Sequence, residues 1–189
     1  GTLNNTSGLV ALSNSKGAGT GPIAVQDGAT LALNGANGNL SVANLISAKG
    51  VGVNGIGAIL NQFGNNTLSG VITLAGNTSI APYQQLTSTG VVGGAYSLSL
   101  IGGGTFVTAA TNSYKGATII DSGTTLQLGN GGATGLIASN DVTNNGSIVF
   151  NRNDVVAFNF VPLISGTGSV TVATGSVRFS SDNSYTGDT

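Results

Sequence analysis

Short runs in which large apolar residues stand two apart, each closed by Gly or Asn, set the strongest limit on how this chain folds. The runs include "TLALNG" (Thr30 to Gly35), "VITLAGN" (Val71 to Asn77), "YSLSLIGGG" (Tyr96 to Gly104) and "TTLQLGNGG" (Thr124 to Gly132). Further on come "GSIVFN" (Gly146 to Asn151), "GSVTVATG" (Gly168 to Gly175) and "GSVRFSSDN" (Gly175 to Asn183). The apolar pairs are Leu31/Leu33, Ile72/Leu74, Leu98/Leu100, Leu126/Leu128, Ile148/Phe150, Val170/Val172 and Val177/Phe179. A spacing of two puts both members on one face of a strand. The residues between them are Ala, Thr, Ser, Gln, Val or Arg, which suit an outer face.

Many short strands leave a sandwich, a barrel or a solenoid open. Internal repetition favours the solenoid. "NSYKGAT" (Asn112 to Thr118) returns as "NSYTGDT" (Asn183 to Thr189), 71 residues later. "DGATLALNG" (Asp27 to Gly35) echoes "SGTTLQLGN" (Ser122 to Asn130), and "LSGVITLAGN" and "LISGTGSVTVATG" are looser variants. A strand-turn unit too small to close a core must stack on its neighbours. The expected fold is all-β, a right-handed parallel β-helix. At roughly 20 to 25 residues per coil the chain makes about eight or nine coils. With coils ~4.8 Å apart, the rod is about 40 Å long. Gly and Asn at the corners tolerate the left-handed backbone of tight turns. Asn in "GNN", "VTNNGS" and "LNN" is expected to stack into side-chain ladders.

Composition excludes several alternatives. Charged residues are 6% of the chain, with 5 Lys plus Arg and 6 acids, all of them Asp. Disorder is excluded because 40% of the residues are hydrophobic and they are spread evenly. Gly, Asn, Ser and Thr disfavour helix interiors, while Val, Ile and Thr favour strands. A net charge of −1 gives no field to gather nucleic acid. No run reaches the ~18 apolar residues of a membrane helix, so no membrane insertion by this segment is expected.

At this point the residues resemble a known family. "GGGTFVTAATNSYKGATIIDSGTTLQLGN" (Gly102 to Asn130) is similar to the autotransporter-associated β-strand repeat. That repeat runs Gly-x-Gly-Thr-Leu, an Asn-Thr-Tyr-x-Gly turn, a Thr-Ile strand, then Gly-x-Leu-x-Leu. Gly102, Gly104 and Thr105 match its opening, and Asn112, Tyr114 and Gly116 its turn. Thr118, Ile119, Gly123, Leu126 and Leu128 match the rest, with Phe106 and Ser113 as mild departures. "GTGPIAVQDGATLALNG", "VTNNGSIVFNRND" and "ISGTGSV" resemble the flanking stretches. The resemblance implies a right-handed β-helix in a large bacterial surface or secreted protein, many of them passengers of type V secretion. "GTLNN" and "NSYTGDT" look like halves of one interrupted repeat. The expectation is therefore a single stretch, 1–189, cut from a longer array.

Chemistry-bearing residues are few. With no His and no Cys, the usual nucleophilic triads and zinc sites lack their parts. The glycine runs lack the Lys-Ser/Thr tail of a phosphate loop. The closest charged grouping is Arg152 and Asp154, with Arg178 and Asp182 on a later strand; it reads as a solvent-exposed ion pair. Asp121 and Asp141 read as turn acids bonding their own backbone. Tyr114 and Tyr185 share a repeat position and are expected to pack at corners; Tyr83 and Tyr96 complete the tyrosines. No glycosylation is assigned to sites such as Asn145-Gly146-Ser147. An ice-binding face needs Thr-x-Thr at one place on successive coils, and only scattered Thr pairs occur.

The expected role is structural: a rigid rod, coat or fibre at the bacterial cell surface or outside it, not an enzyme. Expected partners are neighbouring copies or flanking repeats of the same polypeptide. An adhesive module that binds a glycan or host surface is the alternative, and a carbohydrate-active β-helix enzyme is less favoured. No catalytic, metal or cofactor residue is assigned. Leu31, Leu33, Ile72, Leu74, Leu126, Leu128, Ile148, Phe150, Val170 and Val172 are expected to carry the fold.

Overall fold

The alternating runs become strands that stack in parallel. A computed structural model describes all residues, 1–189. The only helical element is a 3-10 turn at Val53–Gly55. Every strand pair is parallel. The chain winds through about eight coils of a β-solenoid, each coil contributing to up to three faces. At ~4.8 Å per coil this gives a rod of about 40 Å.

The first face stacks Leu3–Asn5, Ile23–Val25, Ile46–Gly50, the start of Ile72–Pro82, and Val92–Gly94. It ends with Phe158–Phe160 beside Val177–Phe179. The second face stacks Gly8–Leu12, Ala29–Asn34, Ile59–Phe63, the end of Ile72–Pro82, Leu98–Leu100, Thr118–Ile120, Asp141–Asn144 and Leu163–Ser165. The long strand Ile72–Pro82 serves both and joins them in one sheet. The third face is a seven-stranded sheet from Ser41–Val42 to Ser169–Thr174.

Register keeps like residues in columns. Leu86, Phe106, Leu126, Ile148 and Val170 are successive partners on the third face and all point inward. They belong to one continuous cluster of 32 buried apolar residues. Each such Leu, Ile or Phe stabilises the fold by about 1.5–3 kcal/mol through burial. Corners stack as well as strands: of 102 backbone hydrogen bonds, 47 lie outside the regular ladders. Gly104 N donates to Pro82 O at 2.7 Å and Gly129 N to Thr108 O at 2.9 Å.

Three expectations need correction. Nine of the ten predicted core residues are buried, but Val172 is 42% exposed. It stands in the inward column beside Phe150, yet no strand stacks beyond Ser169–Thr174 to cover it. Thr30 and Ala32, expected to face solvent, are fully buried. Residues 51–57 fold over them: Thr30 Oγ1 donates to Gly57 O at 2.8 Å and accepts from Val53 N at 2.9 Å. A second apolar cluster of Ala32, Leu60 and Ala81 forms there, outside the coil, with Ile56 and Ile101 against it. Finally, the asparagines do not form ladders. Asn5, Asn61 and Asn144 are buried singly at corners, where each Nδ2 donates to a carbonyl of the next coil: Thr30, Gln85 and Ser169 respectively. Asn66 Nδ2 to Asn61 Oδ1, at 2.6 Å, is the one bond between these asparagine side chains. In each case a backbone carbonyl near a strand's start, and not a stacked amide, takes the donor.

Candidate interaction surface

The charged grouping noted in the sequence is a staple rather than an exposed pair. Arg152 is only 4% exposed. Its Nε and Nη2 donate to the two carboxylate oxygens of Asp154 at 2.8 and 2.9 Å. Nη2 also donates to Ala133 O at 2.7 Å, and Nη1 to Gly135 O. The guanidinium carbon lies 3.9 Å above the Phe158 ring, a favourable cation–π placement. The fork therefore ties the 129–135 loop to the 152–157 loop. The hydrogen bonds from Arg152 hold the Asp154 carboxyl below the usual carboxylate range. An acid so held is a poor proton donor near neutral pH. Arg178 and Asp182 do not join it, and no other ion pair forms.

Asp121 sits at a turn, whereas Asp141 opens the strand Asp141–Asn144, and neither carboxylate makes the expected hydrogen bond to its own backbone. At Asp121 the turn is closed by its carbonyl, which accepts from Thr124 N at 3.0 Å. Tyr114 packs as expected: it is fully buried, its hydroxyl 2.6 Å from Thr118 Oγ1. Burial pushes its phenol well above the ordinary value of 10.0. Tyr185 makes the same bond to Thr189 at 2.7 Å but is only half-buried. Tyr83 and Tyr96 are exposed and belong to no aromatic cluster.

Sequence reasoning missed the most site-like feature. A polar trough of about 430 Å³ runs across four successive coils at the corner between the second and third faces. Its twelve lining residues include no hydrophobic one. The triplets Gly123-Thr124-Thr125, Asn145-Gly146-Ser147 and Thr167-Gly168-Ser169, with the pair Gly187-Asp188, supply most of it. Glycine is required at the floor: a Cβ on Gly146 would collide with Thr124 O, and one on Gly168 with Gly146 O. Thr125, Ser147 and Ser169 stack in register along one wall, with Ser169 Oγ 3.3 Å from Ser147 Oγ. Thr167 N donates to Asn145 Oδ1 at 3.3 Å. The signal was present as a Gly-Ser step repeated 22 residues apart, at Gly146 and Gly168.

This trough offers neutral hydroxyl and amide groups at the coil spacing, with Asp188 as its one charge. Such a lining hydrogen-bonds polar, uncharged ligands. The outward pairs on the same sheet, Gln85/Thr87, Thr105/Val107, Thr125/Gln127, Ser147/Val149 and Ser169/Thr171, break any continuous Thr-x-Thr array.

No family model matches the chain, and no solved structure matches it. Among curated proteins it is 36% identical, over 105 residues, to the adhesin BmaC autotransporter of Brucella suis biovar 1 (strain 1330). The matched region is 56% of this chain and 2% of the length of that adhesin, so the chain spans only a small part of the relative it matches.

Proposed function

We propose that this chain is a rod-forming stretch of a bacterial cell-surface or secreted protein, mechanical in role rather than enzymatic. The observation that carries the reading is the parallel stacking of strands in two long sheets, from Leu3 to Thr174, around a main apolar core. Backbone ladders along the whole axis resist local opening, because each strand is held by the coils on both sides. Low charge lets coils of like sequence stack without repulsion. The match to an autotransporter adhesin supports a surface location. Gly102 to Asn130 and Asn183 to Thr189 are read as units of the autotransporter-associated repeat, and neighbouring repeats or copies of the polypeptide as the partners. No helix is long and apolar enough to cross a membrane. Antibodies raised against the chain should stain intact cells of the source bacterium or its culture fluid. Staining confined to lysed cells would overturn the reading.

A second reading is favoured by the polar trough together with the adhesin match: the rod itself adheres, through one corner, to a neutral glycan. Glycan-array binding by the chain, lost in Ser147→Val with Ser169→Val, supports adhesion. An inert array leaves the rod as a spacer.

A further inference from the structure

Gly104 to Thr118 and Gly175 to Thr189 are two copies of one motif, offset by 71 residues. They fold alike. Asn112 Oδ1 accepts from the amide of Val92 at 2.8 Å, and Asn183 Oδ1 from the amide of Ile164 at 2.8 Å. Each copy then closes with the same Tyr–Thr hydroxyl contact.

The copies nevertheless stand on different faces. The first opens on the third face, where Thr105–Thr108 pairs with Gln85–Ser88. The second opens on the first face, where Val177–Phe179 pairs with Phe158–Phe160. Gly116 packs against Ser97, at the corner between the first and second faces; Gly187 packs against Gly168, at the next corner. Chain length explains the displacement. Three coils above Phe106, through Leu126 and Ile148, stands Val170. The motif's equivalent of Phe106 is Val177, seven residues further on, close to the six-residue step from Leu86 to Val92 between the same two faces.

We infer that the repeat is built as three coils plus one face, so that each recurrence displays the motif one face further round the rod. Its outward side chains, Ser113 and Lys115 in one copy and Ser184 and Thr186 in the other, are exposed in both. They leave the rod in different directions. A neighbouring rod that packed against this strip would meet it on more than one side. The inference rests on the fold and stands whether or not the surface role does.

Disulfide trapping tests it, in a chain with no native cysteine. Ser184 N donates to Ile164 O at 2.9 Å, which seats Ser184 beside Ser165 on the second face. If the repeat were three whole coils, Ser184 would instead occupy the face of Ser113 and lie beside Asn159. Neighbouring parallel strands bring Cα atoms to ~4.8 Å, within disulfide reach. In the triple variant S184C, S165C, N159C, mild oxidation should join positions 165 and 184 at least tenfold over 159 and 184, read by peptide mass spectrometry. A dominant 159–184 link overturns the inference. So does the absence of both links while the matching pair G93C, S113C on the first copy cross-links. Pairwise variants repeat the comparison if the triple variant loses its β-sheet circular dichroism.

Discussion

The middle coils, Ile72 to Leu128, and the C-terminal coils, Asn151 to Thr189, solve the same packing problem differently. In the middle, Leu86 pairs with Phe106 and Phe106 with Leu126, always 20 residues on, and all three are buried. Constant coil length lets the backbone ladder hold register without a shift. Beyond Phe150 the register shifts, and an insert of 152–157 leaves Val155 and Val156 exposed. There, side chains take over. Arg152 grips two loops. Phe150, Phe160 and Phe179 pack edge to face with centroids 5.1 to 6.1 Å apart. Aromatic edge-to-face pairs add about 0.5–1.5 kcal/mol each beyond area burial. Regular coils are held by in-register columns in which Phe106 stands between two leucines; the irregular ones add a charged staple and an aromatic cluster to bridge the gaps.

The largest expected effect lies in the regular region. Leu126→Asp puts a charge between Phe106 and Ile148 with no partner. It should cost about 5 kcal/mol or more and unfold the adjacent coils. Loss of β-sheet circular dichroism and rapid proteolysis near residue 126 would show it. Unchanged protease resistance would sink the assigned inward column.

The two tyrosines give a matched pair across the regions. Tyr114→Ala should cost about 3–5 kcal/mol, as for other buried aromatics. Tyr185→Ala, which loses one half-exposed contact, should cost about 1 kcal/mol. Equal costs, measured by denaturant unfolding, would erase the contrast between the regions. Alkali gives an independent check. Tyr114 is held neutral by burial, so its phenol ionises later in the fold than in the open chain. Its contribution is complete below the ordinary value of 10.0 and is lost as pH rises beyond it. Tyr114→Phe should remove that alkaline sensitivity.

The regular region was also the legible one. Leu126/Leu128 and Ile148/Phe150 announce their strands because one face is wholly apolar, and a period of two leaves a single choice of side. Thr30 and Ala32 misled because the same alternation describes a strand covered on both faces when the cover comes from a distant loop. Arg152 misled because its partners, Ala133 and Gly135, offer only carbonyls, which no residue type advertises. The trough was hidden for a similar reason. Its Gly-Ser steps look like ordinary turns until coil spacing places Gly168 on Gly146. Sequence shows what each coil buries, and less readily what the coils build together at their corners.

Arg152→Met tests whether side chains hold the irregular region. It leaves the carbonyls of Gly135 and Ala133 and the carboxylate of Asp154 without their donor. The expected cost is about 2–4 kcal/mol, confined to 129–157. Hydrogen exchange should quicken there and stay unchanged at Leu98–Leu100. Uniform loosening of the whole rod would mean that the two regions are one cooperative unit.

The smallest effect is set by pH and separates the regions without a mutation. The Arg152 hydrogen bonds lower the Asp154 carboxyl below its ordinary 3.8. A depressed acid contributes stability that is fully present above its unfolded value and is lost as pH falls through the folded one. The staple should therefore hold at pH 5 and loosen progressively below about 3.8. The middle coils contain no ion pair, so their protection should not follow that curve. Amide exchange measured from pH 5 to pH 2, corrected for intrinsic rates, should show opening at 152–157 first. In Asp154→Asn that pH dependence should vanish, because an amide keeps an acceptor for Arg152 but does not titrate. An unchanged acid response in the variant would assign the opening to another carboxylate and detach the irregular region's stability from this pair.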